Sequence, residues 1–123
     1  MKVVAAAPAP IVIASPDRDS QWRIVNGTVE HTADGGVTWQ SQPIGVATPM
    51  RAGATPGARV CWLAGVAGVV LRTTDGTTWT RIPFPESADL VAIQATDASH
   101  ATVTTATGGR FTTSDAGATW IRQ

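Results

Sequence analysis

Three tryptophans, Trp39, Trp79 and Trp120, each follow an aspartate, Asp34, Asp75 and Asp115, and cut this 123-residue chain into three copies of one unit. The tryptophans are 40 and 41 residues apart, and the aspartates 41 and 40. The local strings are Thr32-Ala33-Asp34-Gly35-Gly36-Val37-Thr38-Trp39, Thr73-Thr74-Asp75-Gly76-Thr77-Thr78-Trp79 and Thr113-Ser114-Asp115-Ala116-Gly117-Ala118-Thr119-Trp120. A period of this length holds four short strands and their turns, which is one blade of a propeller.

The rest of the chain divides the same way. Short runs rich in valine, threonine and alanine alternate with Gly, Pro and Asp clusters, and no apolar pattern with helical spacing is sustained. The expected fold is all-β, with three four-stranded antiparallel repeats at about 11–43, 46–83 and 88–123. Strands are expected at 11–14, 22–25, 28–32 and 37–40, then 48–54, 60–64, 69–74 and 78–82, then 90–95, 101–105, 110–113 and 118–122. The opening MKVVAAAPAP reads as the end of an Ala/Pro-rich linker, leaving 11–123 as a single domain.

The repeated turn explains its own residue types. Asp and Thr side chains accept hydrogen bonds from the backbone N–H groups of a tight turn. A glycine just beyond supplies a positive φ, and the tryptophan opens the fourth strand and covers the hairpin. The set Thr32, Asp34, Gly36, Trp39; Thr73, Asp75, Gly76, Trp79; Thr113, Asp115, Gly117, Trp120 is therefore read as holding the fold. The second copy is one residue shorter from aspartate to tryptophan and lacks the second glycine, which predicts a tighter turn there.

The pattern S/T-x-D-x-G-x-T-W resembles the Asp-box, or bacterial neuraminidase repeat. Trp62-Leu63-Ala64-Gly65, followed by Gly68-Val69-Val70-Leu71-Arg72-Thr73-Thr74-Asp75-Gly76, is similar to the propeller family of photosystem II assembly and stability factors. It is similar in particular to members at the C-terminus of larger bacterial proteins, some of which begin with an anti-sigma-factor-like zinc-finger region. The resemblance implies an accessory or sensory module, not a part in photosynthesis, and an extracytoplasmic bacterial location. It also implies a ring of about seven blades, whereas this chain holds three. Three blades in a row are expected to leave two apolar faces open, which favours association. The closed toroid is thus expected only by homo-oligomerisation, as a homodimer of six blades or a homotrimer of nine.

The expected function is a non-catalytic binding or assembly module that self-associates and takes a protein or peptide ligand. The alternative is a purely structural oligomerisation domain of a larger anti-sigma-factor-like protein. Nine basic residues balance nine acidic ones, so no bulk charge draws nucleic acid or an anionic membrane. A glycan-processing enzyme of the sialidase kind is disfavoured: the chain has no tyrosine, only Glu30 and Glu86 as glutamates, and scattered arginines. The histidines, His31 and His100, lack a nucleophile motif and read as surface residues; Cys61 reads as a buried small side chain. No catalytic, cofactor-binding or metal-binding residue is expected. The connector Ile82-Pro83-Phe84-Pro85-Glu86-Ser87-Ala88-Asp89 stands apart. Its prolines make it stiff, and Phe84 is expected to plug the seam between repeats, with a peptide-binding edge as the sharper reading.

Overall fold

The computed structural model describes residues 11–13, 15–25, 28–44 and 49–123, so the expected linker end at 1–10 lies outside the described residues. The first sheet holds β1 (Ile11–Ile13), β2 (Gln21–Val25), β3 (Thr28–Thr32) and β4 (Gln40–Ser41). The second holds β5 (Met50–Ala54), β6 (Cys61–Gly65), β7 (Val70–Thr73) and β8 (Trp79–Ile82). The third holds β9 (Leu90–Ala95), β10 (Ala101–Thr105), β11 (Arg110–Thr113) and β12 (Ile121–Arg122). Every strand pairs antiparallel with its sequence neighbour, giving three four-stranded blades in simple up-and-down order. A 3-10 turn, η1 (Val66–Gly68), joins β6 to β7. The all-β, propeller-type architecture is as the repeat requires.

Two apolar layers hold the blades together. Call the face of a blade turned toward the following blade its back, and the other its front. Trp22, Ile24 and Val29 on the back of the first blade pack with Met50, Cys61, Leu63 and Leu71 on the front of the second. Trp62, Ala64, Val70 and Ile82 on the back of the second pack with Leu90, Val103 and Phe111 on the front of the third. The middle blade is covered on both sides, so β6 is buried at all five residues, while β10 alternates buried and half-buried. Cys61 is among the buried residues, and burial pushes its thiol pKa well up, away from a reactive thiolate.

Two expectations are corrected here. The fourth strand starts on the tryptophan only in the second blade; in the first and third the ladder begins one residue later, at Gln40 and Ile121. Residues 37–38 and 118–119, expected in those strands, belong to the turn, because Asp34 and Asp115 capture the amides of Thr38 and Thr119.

The second correction concerns the open faces, which are not apolar. The β2–β3, β6–β7 and β10–β11 registers align Arg23–Glu30 with Leu63–Leu71 and Val103–Phe111 on the front. On the back they align Trp22–His31 with Trp62–Arg72 and Thr102–Thr112, and Ile24–Val29 with Ala64–Val70 and Thr104–Arg110. At the first blade's front an ion pair, Arg23 Nε to Glu30 Oε1 at 2.6 Å, stands where the inner seams carry leucine, valine and phenylalanine. At the third blade's back, threonines and an arginine stand where the inner seams carry tryptophan and aliphatic side chains.

Candidate functional site

The three box turns are built as the residue types demand. Thr32 Oγ1 accepts from the amide of Gly36 at 3.0 Å and donates to Asp34 Oδ1 at 2.7 Å. Asp34 Oδ1 in turn accepts the amide of Thr38 at 2.9 Å. Thr113, Asp115, Gly117 and Thr119 repeat this geometry, with Gly117 N to Thr113 Oγ1 at 2.9 Å. In the second copy the amide of Gly76 reaches Thr73 Oγ1 at 3.0 Å, and Asp75 Oδ1 takes the amides of Thr77 and Thr78. Gly76 therefore occupies the place of Gly36 and Gly117. The residue missing from the second box is the one matching Gly35 and Ala116, not the second glycine as the string implies. Gly35 and Gly36 both have positive φ, as do Ala116 and Gly117, whereas the shorter turn uses Gly76 alone.

These bonds favour the ionised aspartates. The Thr38 hydroxyl, then the Thr38 amide, holds Asp34 down to about 2, and Thr119 does the same for Asp115. Asp75 is lowered further, chiefly by the Thr78 and Thr77 amides. The carboxylates' contribution is thus complete above about pH 4 and lost as pH falls toward 2. His31, whose pKa burial lowers, adds a shallower loss starting below about pH 6.5, where the unfolded imidazole takes up its proton. Thermal unfolding followed from pH 8 to pH 2 should show a gentle decline and then a steep one below pH 4. A midpoint unchanged down to pH 2 would contradict the structural role of the boxes.

The box tryptophans do more than cover their own hairpins. Trp79 Nε1 donates to Gln42 Oε1 at 3.3 Å, and Trp120 Nε1 donates to the Pro83 carbonyl at 2.8 Å. Each grips the connector arriving from the preceding blade. All three are half-buried, and Trp39 instead lies under the Arg23 guanidinium, 4.2 Å from the ring centroid. Two of the box glycines also sit at the seams: a Cβ on Gly76 would come 3.9 Å from Trp22, and one on Gly117 only 2.0 Å from Ile82.

The histidines differ from each other. His31 is half-buried rather than a surface residue, and packs against Trp22 with ring centroids 4.5 Å apart and the planes tilted by 44°. Ser20 Oγ donates its single proton to the Ala58 carbonyl at 2.7 Å, so His31 Nε2, 2.9 Å away, donates to Ser20. That polarity is opposite to a serine activated by a histidine base. His100 is exposed and held by Asp97, with Nδ1 2.9 Å from Oδ1. Arg23 and Arg72, among the scattered arginines, lie at the blade faces; Arg72 donates to the Ala98 carbonyl at 2.7 Å across the second seam. Among the described residues no group of three His, Cys, Asp or Glu side chains is placed to hold a metal ion.

Two cavities flank the connector between the second and third blades. Phe84 wedges edge-on between Phe111 and Trp120, with centroids 5.0 and 5.2 Å away, as its seam-plugging role requires. On one side of the connector, Ala67, Gly68, Arg81, Phe84, Glu86 and Ser87 line a cavity of about 470 Å³. On the other, Pro83, Phe84, Pro85, Ala118 and Trp120 line a second of about 260 Å³. The pair forms an open, partly aromatic groove with a cation, Arg81, and an anion, Glu86, on its wall. Gly68 and Arg81 carried no sequence signal for this place. Gly68 arrives because Asp89 Oδ1 binds the Ala67 amide at 2.9 Å and draws η1 onto the connector, and Arg81 because it stands near the end of β8 just before the connector.

Comparison with known proteins agrees with this architecture. The family model for photosynthesis system II assembly factor YCF48 matches residues 7–123. A solved structure of YCF48 bound to D1 peptide superposes with a TM-score of 0.79 at 25% identity, over 92% of this chain and 39% of that one. YCF48 from Cyanidioschyzon merolae superposes with a TM-score of 0.77 at 25% identity, over 95% of this chain and 40% of that one. The chain therefore spans about two fifths of the length of these structures. No curated protein matches.

Proposed function

The chain belongs to the photosynthesis system II assembly factor YCF48 family, and from that premise we propose that it is a non-catalytic module that binds a segment of another polypeptide. The observation that carries the reading is the superposition on a YCF48 that holds a D1 peptide. The groove around Pro83-Phe84-Pro85 fits the task. It offers aromatic and proline surface for apolar side chains, and Arg81 and Glu86 for charged ends. A non-catalytic role agrees with the Ser20–His31 polarity and with aspartates already committed to turn amides.

Panning a random-peptide display library on the folded domain tests this. Enriched peptides should lose binding at least tenfold to Arg81→Glu, an exposed position whose change leaves the seams intact. Peptides that bind R81E equally well would move the site elsewhere, and no enrichment would remove the binding reading.

Self-association is the second part of the proposal. Its support is no longer an apolar open face. It is the exposure of single large apolar side chains on the outer blades, Val12 at 64% and Ile121 at 65%. If the domain associates but enriches no peptide, the purely structural oligomerisation reading gains instead.

A further inference from the structure

The two cavities beside the connector share Pro83, Phe84 and Pro85, so they are halves of one groove divided by a ridge a single backbone wide. The halves differ in chemistry. The smaller, of about 260 Å³, adds only Ala118 and Trp120 to the shared residues and carries no charged side chain. The Trp120 N–H already donates to the Pro83 carbonyl, so the indole offers only ring surface there. Phe84 is fixed edge-on between Phe111 and Trp120. This half suits one bulky apolar side chain.

The larger half, of about 470 Å³, holds the charges, and Arg81 and Glu86 both line it. They are not equally free. Glu86 Oε2 lies 3.6 Å from Nη1 of Arg122, which has in β12 the register position that Arg81 has in β8. The next carboxylate along the connector, Asp89, is bound to the Ala67 amide. Among the described residues no carboxylate stands within ion-pair distance of Arg81. Two guanidiniums, Arg81 and Arg122, thus share one glutamate, and the groove keeps an uncompensated positive charge. An exposed arginine alone is ordinary. This one stands one ridge away from an apolar pocket.

From this asymmetry we infer that the occupant is an extended segment of another polypeptide with one large apolar side chain and, about two to four residues away, an aspartate or glutamate. The apolar side chain fills the pocket over Phe84 and Trp120. The carboxylate meets Arg81, whose planar guanidinium holds it through two hydrogen bonds. The spacing follows from the ridge: an extended chain rises about 3.3 Å per residue, so two to four residues span about 7–13 Å. That crosses one backbone with part of a cavity on either side. A lysine at the same place would meet like charge, so the groove selects by repulsion as well as attraction. The inference rests on the peptide-binding reading above and names the chemistry of its ligand.

The test is to pan one random dodecapeptide display library in parallel on the unaltered domain, on Arg81→Glu and on Ala118→Asp, and to sequence the pools. Both substitutions are at exposed positions and should leave the circular dichroism unchanged. The unaltered domain should enrich acidic residues two to four positions from a large apolar one. R81E should enrich lysine or arginine at that spacing instead, and A118D should lose the apolar preference. In a single enriched peptide, changing the acid to lysine should weaken binding to the unaltered domain at least tenfold and strengthen binding to R81E. Enrichment without an acidic preference, or an acidic preference that survives R81E, would overturn the ligand chemistry and leave the peptide-binding reading in place. No enrichment on the unaltered domain would overturn both.

Discussion

Replacing Trp62 with alanine is expected to destabilise the domain by about 3–5 kcal/mol. The side chain is wholly buried in the second seam, between a back and a front that are both apolar. Its indole N–H donates to the Asp97 carbonyl at 3.1 Å across that seam. Trp120 meets it edge-on at 6.4 Å, and the Arg72 guanidinium lies over its ring at 5.5 Å. Truncation therefore opens a cavity, leaves the Asp97 carbonyl unpaired and uncovers Arg72, whose Nε is already buried without a partner. A domain of this size is stable by roughly 5–15 kcal/mol, so the loss would be a large fraction of the total. The comparison is Trp39→Ala, at a half-buried ring on the free front, expected to cost less than half as much. Urea unfolding of both variants reads the difference. Equal losses would mean that the seams do not hold the blades together. Thr102 shows why the site matters: the same register position tolerates a threonine in the third blade, where none of the described residues forms a blade against it.

Much of this was legible before any coordinates. The forty-residue period placed all twelve strands, because a box turn and its tryptophan mark the same point of every blade. The Pro83-Phe84-Pro85 connector was readable as a stiff plug, since two prolines and an aromatic allow little else. The end faces were not. Arg23 and Glu30 look like ordinary strand charges until the β2–β3 register puts them opposite each other, at positions that are leucine in β6 and β7. Thr102 likewise gains meaning only when aligned with Trp22 and Trp62. The second box was misaligned because its string was matched at the aspartate. The signal that decides it is the distance from the buried threonine to the glycine whose amide it accepts, four residues in Thr32–Gly36 and Thr113–Gly117 but three in Thr73–Gly76. The sequence pointed to a peptide-binding edge at the connector, but not to the other wall of the groove. It depends on η1 approaching the connector so closely that a Cβ on Gly68 would stand 2.0 Å from the Glu86 carbonyl oxygen.

Gly117→Ala and Gly36→Ala, identical changes at equivalent box positions, are expected to have unequal effects. Both glycines have positive φ, +87° and +98°, so both substitutions carry a left-handed backbone cost of about 1–2 kcal/mol. Backbone strain is not decisive here, because Ala116 already holds φ 63° in the same turn as Gly117. The neighbours decide. At Gly36 a new Cβ would meet nothing nearer than Trp39 at 3.8 Å, an ordinary contact. At Gly117 it would stand 2.0 Å from Ile82 Cγ2, a buried side chain on the back of the second blade. Relief requires moving Ile82 within a packed seam or withdrawing the turn, which would also stretch the Gly117 amide from Thr113 Oγ1. Overpacking of this kind adds about 1–3 kcal/mol. G117A should therefore lose roughly 2–5 kcal/mol, and G36A no more than about 1–2 kcal/mol. In an Ile82→Ala background, where the obstructing methyl is gone, the penalty for G117A should shrink to that of G36A. If it does not shrink, the third box turn is not a seam element, and its glycine serves its own hairpin alone.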